Sequence, residues 1–318
     1  MTRLTLLFVV LLALESTALA QPFPNKPIRL IAPFAPGGAL DLIARGLGAK
    51  LADIAGQPVI VENRAGASGA IGSEVVKNSA PDGYTLLLGA TATHGVNPAL
   101  NPKLPYDAVR DFTPISLIST IPHALVVNAS QPIGSVQDLV RLGKSGQALN
   151  YGSAGNGTPH HLGAELFRSL TGIEAVHVPY KGSGPALADL IGGQLQFISV
   201  EYSAAEPHIK SGKLKALATA TAQRVPGLDL PTVGEAGYPG FLVTSWYAIF
   251  GPAGMPEAVT AKLSADIAKA LAVPDLNERL RNLGMTPVGS APGELAAHVR
   301  AEVARWTKVV KDTGIKPE

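Results

Sequence analysis

Apolar residues recur along the chain in short runs, followed by stretches with helical spacing. The clearest example begins with the apolar run 28–31 and continues, after two prolines and a Gly pair, with apolar residues at helical spacing over 40–54. This order predicts a strand, a glycine-rich turn and a helix. Further strands are predicted at 59–61, 84–88, 115–118, 124–127, 176–179, 197–200, 214–220 and 242–250, with helices between most of them. The small-residue stretch 89–97 predicts a loop. Three C-terminal helices are predicted at 256–271, 274–283 and 292–312, each beginning at a proline.

Alternating strands and helices predict mostly parallel sheets that helices cover on both faces. Two such sets occur, so an α/β fold of two lobes is expected. The chain is expected to cross between the lobes near residues 121–123 and to return near 244–247. The predicted division is a signal peptide at 1–20, a first lobe formed by 21–122 plus 246–318, and a second lobe formed by 123–245.

Three glycine-rich turns precede helices. The turns at 31–41 and 152–158 each place backbone N–H groups at a helix N-terminus, where the helix dipole favours an anion. In the second turn Thr158 suits the N-cap and Pro159 the first helical position. The alternative for the first turn is that its Gly pair only lets the chain turn. The third, at 62–72, has G-x-x-G-x-x-G spacing without the G-x-G step of nucleotide sites, which favours close packing.

Composition narrows the class of protein. Charged residues make up 16% of the 318 residues, hydrophobic residues 46%, and the net charge is +2. This balance excludes a disordered chain, and the absence of a basic cluster argues against nucleic acid as a partner. Without cysteine there are no disulfides, thiolate metal sites or N-terminal lipid attachment. The histidines show no metal-binding pattern.

The first 20 residues predict a secretory signal peptide. Arg3 precedes an apolar run over 4–14, and Ala18-Leu19-Ala20 is an A-x-A ending. The run is shorter than the roughly 20 residues of a spanning helix. Cleavage after Ala20 and export to the periplasm are therefore expected.

Several sequence blocks together resemble the Bug family, the periplasmic solute-binding components of tripartite tricarboxylate transporters. The blocks are 26–41 (KPIRLIAPFAPGGALD), 56–64 (GQPVIVENR), 81–86 (PDGYTL), 151–158 (YGSAGNGT) and 177–182 (HVPYKG), with Trp246-Tyr247 near the end. The resemblance covers the whole chain after residue 20. It implies a type II periplasmic binding protein, a Venus flytrap with its ligand cleft between two α/β lobes.

The resemblance and the residues together predict the following site. The candidate ligand-binding residues are Phe34, Pro36, Gly37, Gly38, Ala39, Asp41, Thr91, His94, Ser153, Asn156, Gly157, Thr158, Tyr180, Glu201 and Tyr202. The expected ligand is a small carboxylate (a dicarboxylate or tricarboxylate, an amino acid or an aromatic acid), bound by neutral donors that include the hydroxyls of Ser153 and Thr158. The protein is expected to be a monomer that needs no cofactor, metal or catalytic residue and delivers its ligand to membrane permease subunits.

Some roles have alternatives. Asp41 either serves its helix as a first-turn acid or positions a cleft water or a ligand amine, and His94 either lines the cleft or stabilises its loop. Tyr180 has ordinary packing as its alternative. Glu201 stands where the family commonly has Asp, and one hypothesis is that it meets an ammonium, amide or hydroxyl of the ligand. For Trp246 and Tyr247 we expect a hinge or core role.

Two other functions fit the same features. One is a binding protein that feeds a membrane sensor instead of a transporter. The other is an exported α/β enzyme, which the sequence disfavours because it lacks a G-x-S-x-G nucleophile elbow, a P-loop, an H-E-x-x-H motif and cysteine.

Overall fold

The computed structural model describes residues 23–36, 39–180 and 182–315. The predicted signal peptide and the predicted site residues Gly37 and Gly38 lie outside these ranges. The strands are β1 (Ile28–Ala32), β2 (Val59–Asn63), β3 (Thr85–Ala90), β4 (Phe112–Asn128), β5 (Leu149–Ser153), β6 (Ala175–Pro179), β7 (Phe197–Glu201), β8 (Leu214–Thr219), β9 (Thr244–Pro252) and β10 (Thr286–Pro287). The helices are α1 (Ala39–Ala55), α2 (Ala70–Lys77), α3 (Asn97–Leu100), α4 (Val136–Lys144), α5 (Pro159–Thr171), α6 (Ser183–Ile191), α7 (Tyr202–Lys210), α8 (Glu257–Ala272), α9 (Pro274–Asn282) and α10 (Pro292–Thr313).

The strands are joined edge to edge in the order β2-β1-β3-β9-β4-β7-β5-β6, and β8 and β10 also pair with β4. In the first lobe β1 pairs in parallel with β2 and β3, and in the second β5 pairs in parallel with β6 and β7. The strands β4 and β9 run antiparallel to their neighbours and join the two lobes. The structure thus confirms an α/β fold of two lobes.

The prediction of two separate strands at 115–118 and 124–127 is wrong, because β4 is one strand of 17 residues. Its first part pairs with β9 up to Pro122, and from His123 onwards it pairs with β7. Proline lacks the N–H that a ladder needs, and it is tolerated at bulges and where pairing changes. Pro114 lies at a register shift and Pro122 at the change of partner, so neither interrupts the strand.

The predicted loop at 89–97 is also corrected. The strand β3 continues to Ala90, a π-helical turn follows over Ala92–Val96, and α3 begins at Asn97. The Thr93 hydroxyl accepts a hydrogen bond from the Ala90 N–H at 2.9 Å and returns one to the Ala90 carbonyl at 3.0 Å. This local exchange starts the helical turn, and the side chain of Val96 is fully buried.

Each lobe has its own apolar core, and the C-terminal helix contacts both. Leu295 and Val299 of α10 pack in a first-lobe cluster, whereas Trp306 and Val309 pack in the main second-lobe cluster. The assignment of all of 246–318 to the first lobe therefore stays a prediction. Within the described ranges, no helix combines the length and apolar character needed to cross a bilayer.

Candidate functional site

A cavity of about 270 Å³ lies where the two lobes meet. Its lining residues come from the β1–α1 connection, the end of β3, the start of α5, the end of β7 and the start of β9. They are Phe34, Ala35, Ala39, Leu40, Ala90, Thr91, Ala92, Pro159, Glu201, Ser245, Trp246 and Tyr247. The volume lies just below the usual range for ligand pockets, and the wall is mostly apolar with a few polar groups, as the walls of such pockets are.

Two helix N-termini, one from each lobe, open onto this cavity. The first turn of α1 contributes Ala39 and Leu40, and α5 contributes its first residue, Pro159. In α1 the first-turn backbone N–H groups have no partner within the helix, and the helix dipole adds partial positive charge there. In α5 Pro159 has no N–H and Thr158 caps the N–H of His161, so this helix contributes chiefly the positive end of its dipole. The cavity is therefore electrostatically suited to an anion, although no Lys or Arg occurs among its described lining residues.

Asp41 organises the first of these turns. Its carboxylate is almost fully buried and accepts hydrogen bonds from Asn63 Nδ2 at 2.9 Å and from Arg45 Nε at 3.1 Å. The same Asn63 amide donates to the Phe34 carbonyl at 3.1 Å. The aspartate thus connects the start of α1, the end of β2 and the loop that positions Phe34. Asp41 is not itself a lining residue of the cavity.

The glycine-rich turn at 62–72 packs closely against the loop that positions Phe34. A Cβ at Gly72 would lie 2.8 Å from the Cα of Pro33 and 2.9 Å from the carbonyl oxygen of Arg64. Both distances are shorter than van der Waals contact, so only glycine lets α2 approach this closely.

The hydroxyls of the second glycine-rich turn are used within the turn itself. Ser153 Oγ lies 2.6 Å from His177 Nε2 and accepts the Gly155 N–H at 3.1 Å. Thr158 Oγ1 caps α5 by accepting the His161 N–H at 3.4 Å, and it donates to the Gly155 carbonyl at 2.7 Å. These bonds hold the turn in shape, and neither hydroxyl is presented to the cavity.

Glu201 brings a carboxylate to the cavity wall. His160 Nε2 donates to Glu201 Oε2 at 2.7 Å, and the Ser245 hydroxyl donates to Oε1 at 2.9 Å. Because the single hydroxyl hydrogen of Ser245 is used in this way, Ser245 accepts from His123 Nε2, which lies 3.0 Å away. The four side chains come from α5, β7, β9 and β4, so this network joins the elements at the lobe junction.

The protonation states of this network follow from burial and charge. Burial by itself raises the pKa of Glu201, but the adjacent rings of His160 and His123 outweigh it and hold that pKa well below its ordinary value. Burial lowers the pKa of His123, although Glu201 opposes the shift. At neutral pH Glu201 is therefore a carboxylate.

Tyr247 contributes a phenol to the same wall. Burial and, secondarily, the Glu201 charge raise the pKa of Tyr247, so the hydroxyl stays protonated. No residue in the described part of the chain forms a hydrogen bond with this hydroxyl. A donor and an acceptor, Tyr247 and Glu201, thus line one cavity.

The family of the chain follows from its relatives. A family model described as the tripartite tricarboxylate transporter family receptor, TctC, matches residues 43–315. The protein BugT of Bordetella pertussis is 37% identical over 326 residues, which covers 99% of this chain and 99% of BugT. The chain belongs to the TctC family. The resemblance to Bug proteins is thereby confirmed.

Solved structures agree with the TctC assignment. An R. palustris protein with adipate has a TM-score of 0.79 and 37% identity, over 93% of this chain and 100% of that protein. MatC from Rhodopseudomonas palustris, with bound malate, has a TM-score of 0.75 and 38% identity, over 91% and 100% of the two chains. TctC-family receptors are periplasmic solute-binding proteins and not enzymes. This TctC receptor is likewise a solute-binding protein.

The structure brings four of the predicted site residues of this TctC receptor to the cavity, namely Phe34, Ala39, Thr91 and Glu201. The other described ones are not lining residues: Pro36 and Asp41 in the first turn, Ser153, Asn156, Gly157 and Thr158 in the second, and His94, Tyr180 and Tyr202 elsewhere. The Tyr180 hydroxyl donates to Asp189 Oδ2 at 2.6 Å.

His94 occupies the first-lobe core instead of the cleft. Its ring is fully buried and stacks on Phe250 with centroids 4.0 Å apart, and its Nδ1 lies 2.9 Å from Thr93 Oγ1. Burial lowers the pKa of His94 to about 3, which makes it a neutral aromatic ring at physiological pH. Of the two alternatives for this residue, the stabilising role is the one that the packing supports.

Sequence reasoning missed Ser245 and His160, and it assigned Trp246 and Tyr247 only a hinge or core role. Trp246 is fully buried, and its indole N–H donates to Glu302 Oε2 at 2.9 Å, yet the residue also borders the cavity. The available signal was the position of these residues where the chain returns between the lobes. His160 had the further signal of directly following the first proline of α5.

Proposed function

We propose that this receptor captures a small carboxylate-bearing ligand between its lobes and delivers it to the permease subunits of a tripartite tricarboxylate transporter. The observation that carries the proposal is that two helix N-termini, from opposite lobes, open onto one cavity. A carboxylate placed there interacts favourably with both dipoles. Two similar solved structures contain adipate and malate, which are both carboxylates.

In this proposal the ligand also favours the closed arrangement of the lobes. The strands β4 and β9 cross between the lobes near 121–123 and 244–247, and these two segments are the proposed hinge. An acid that contacts both helix N-termini gains its full interaction only when the lobes are together. Closure is then a shift of population that the ligand drives. The signal peptide is cleaved after Ala20, and the protein acts in the periplasm as a monomer.

Thermal unfolding with matched ligands tests the capture of carboxylates. A panel of di- and tricarboxylates, amino acids and aromatic acids is compared with the corresponding primary amides, which keep the shape and lose the charge. A ligand at 100 times its Kd stabilises the folded state by about 2.7 kcal/mol. We expect at least one acid to raise the Tm by several degrees and its amide to have no effect. The proposal fails if no acid raises the Tm, or if acid and amide act equally.

A further inference from the structure

The wall of the cavity carries a charge of the same sign as the proposed ligand. Glu201 is the only ionised side chain among the described lining residues, and 19% of its side chain is exposed. Two helix N-termini favour an anion in this cavity, whereas Glu201 repels one that comes close to it. The cavity therefore has two chemically different regions, and they require different groups on the ligand.

Protein donors fill only part of the hydrogen-bonding capacity of Glu201. An ionised carboxylate offers about four acceptor positions. His160 uses one on Oε2 and Ser245 uses one on Oε1, while His123 Nε2 lies at the longer distance of 3.5 Å from Oε1. Because Glu201 lines the cavity, its unfilled acceptor positions are open to the ligand. A ligand group that contacts this carboxylate therefore has to donate a hydrogen bond.

The Tyr247 phenol complements this acceptor. It lines the same cavity, the Glu201 charge contributes to its raised pKa, and no described residue bonds its hydroxyl. A ligand hydroxyl can donate to Glu201 or accept from Tyr247. A protonated amine can donate to both oxygens. A second carboxylate can accept from Tyr247, but it places two negative charges side by side, which disfavours the ionised form of one of them.

We propose that the ligand presents a hydrogen-bond donor, a hydroxyl or a protonated amine, to Glu201 and Tyr247, and that this pair selects hydroxy- or aminocarboxylates against dicarboxylates of equal length. This inference rests on the proposed capture of a carboxylate and adds the identity of the second end group. His160 and Ser245 act as positioning residues, because they hold the Glu201 carboxylate at the wall.

Isothermal titration with matched acids tests the selection. The probes are succinate, 4-hydroxybutanoate and 4-aminobutanoate, and their six-carbon counterparts adipate, 6-hydroxyhexanoate and 6-aminohexanoate. The wild-type protein is expected to bind a hydroxy or amino acid at least tenfold more tightly than the diacid of the same length. The hydroxy and amino members of each set show which of the two donors is preferred.

Three variants separate the charge of Glu201 from a structural role. Glu201→Gln is expected to weaken binding of the preferred donor acid at least tenfold and to strengthen binding of the matched diacid, which inverts the selectivity. Glu201→Asp keeps the charge and is expected to keep the preference for donors, and it serves as the second test if the Gln variant does not fold. Glu206→Gln, which removes a more exposed carboxylate on the next helix, is expected to leave every affinity unchanged.

The outcomes distinguish the two proposals. A wild-type preference for diacids, or an equal loss of both ligand classes in Glu201→Gln, overturns the assignment of the donor end and leaves the capture of carboxylates intact. The absence of binding by every acid in the wild-type protein overturns the capture of carboxylates and, with it, this inference.

Discussion

Replacement of Asp41 by alanine tests how the first helix N-terminus is built. The variant loses the acceptor of Asn63 Nδ2 and of the Arg45 guanidinium. A hydrogen bond to a buried charged group contributes about 1.5–3 kcal/mol, whereas Arg45 is half exposed and its ion pair adds less than about 1 kcal/mol. The expected loss of stability is therefore about 2–3 kcal/mol. With an unfolding entropy of about 2.1 cal/mol/K per residue, a chain of this size loses about 1.6 °C of Tm per kcal/mol, so the Tm falls by about 3–5 °C.

Ligand binding is expected to weaken as well, by about tenfold, because the bond from Asn63 to the Phe34 carbonyl loses its support and the loop beside the cavity loosens. Differential scanning fluorimetry measures the Tm, and titration with the best-binding acid measures the affinity. The matched control is Glu257→Ala, which removes another first-turn acid, from α8, that has no side-chain hydrogen bond or ion pair within the described part of the chain. Helix-dipole effects alone are worth about 0.3–1 kcal/mol. If Asp41→Ala behaves like this control in both assays, Asp41 does not organise the turn.

Two other predictions concern the core around the cavity. Burial lowers the pKa of His94 to about 3, so the unfolded chain binds a proton there at a pH where the folded chain does not. The contribution of the neutral ring to the free energy of unfolding is therefore fully present above about pH 6.5. It is lost at about 1.4 kcal/mol per pH unit as the pH falls towards about 3. His94→Phe keeps a ring stacked on Phe250 but cannot titrate. Between pH 7 and pH 5 its free energy of unfolding in urea should therefore fall by about 2 kcal/mol less than that of the wild-type protein. An equal fall in both proteins would contradict the burial of a neutral His94 ring. Glu302→Ala leaves the indole N–H groups of Trp246 and Trp306 without their acceptor, and it should cost about 3 kcal/mol and shift the emission of these two tryptophans. The control Glu294→Ala, at the exposed start of α10, should lower the free energy of unfolding by less than about 1 kcal/mol. An unchanged emission spectrum in Glu302→Ala would contradict the hydrogen bonds between Glu302 and the two tryptophans.

The local pattern of the sequence predicted the elements well where a single turn or helix decides the outcome. Thr158 and Pro159 open α5 as their residue types predict, and the three C-terminal helices begin within a residue of the predicted positions. The two sets of alternating strands and helices predicted the two lobes, and the resemblance to the family predicted a ligand cleft between them. Local pattern was misleading at 89–97, where small and hydroxyl-bearing residues form a helical turn because Thr93 bonds back to Ala90.

The local sequence pattern could not predict which polar residues line the cavity. Tyr247 and Ser245 reach the cavity only because β9 returns from the second lobe and inserts between β3 and β4, a pairing of residues more than 100 positions apart. The bond between His160 and Glu201 likewise joins two elements that the sequence separates by 41 positions. The hydroxyls of Ser153 and Thr158 were predicted as ligand donors, but the turn that contains them uses both, and no residue-type preference reveals that competition.

The central claim is that one carboxylate meets both lobes at the helix N-termini. A crystal structure of the protein with the acid that raises its Tm most tests this claim directly. We predict a ligand carboxylate in the cavity lined by Phe34, Ala39 and Pro159, within hydrogen-bond distance of first-turn backbone N–H groups of α1 and in contact with the start of α5. An acid bound to one lobe alone, or in a different cavity, would contradict the claim.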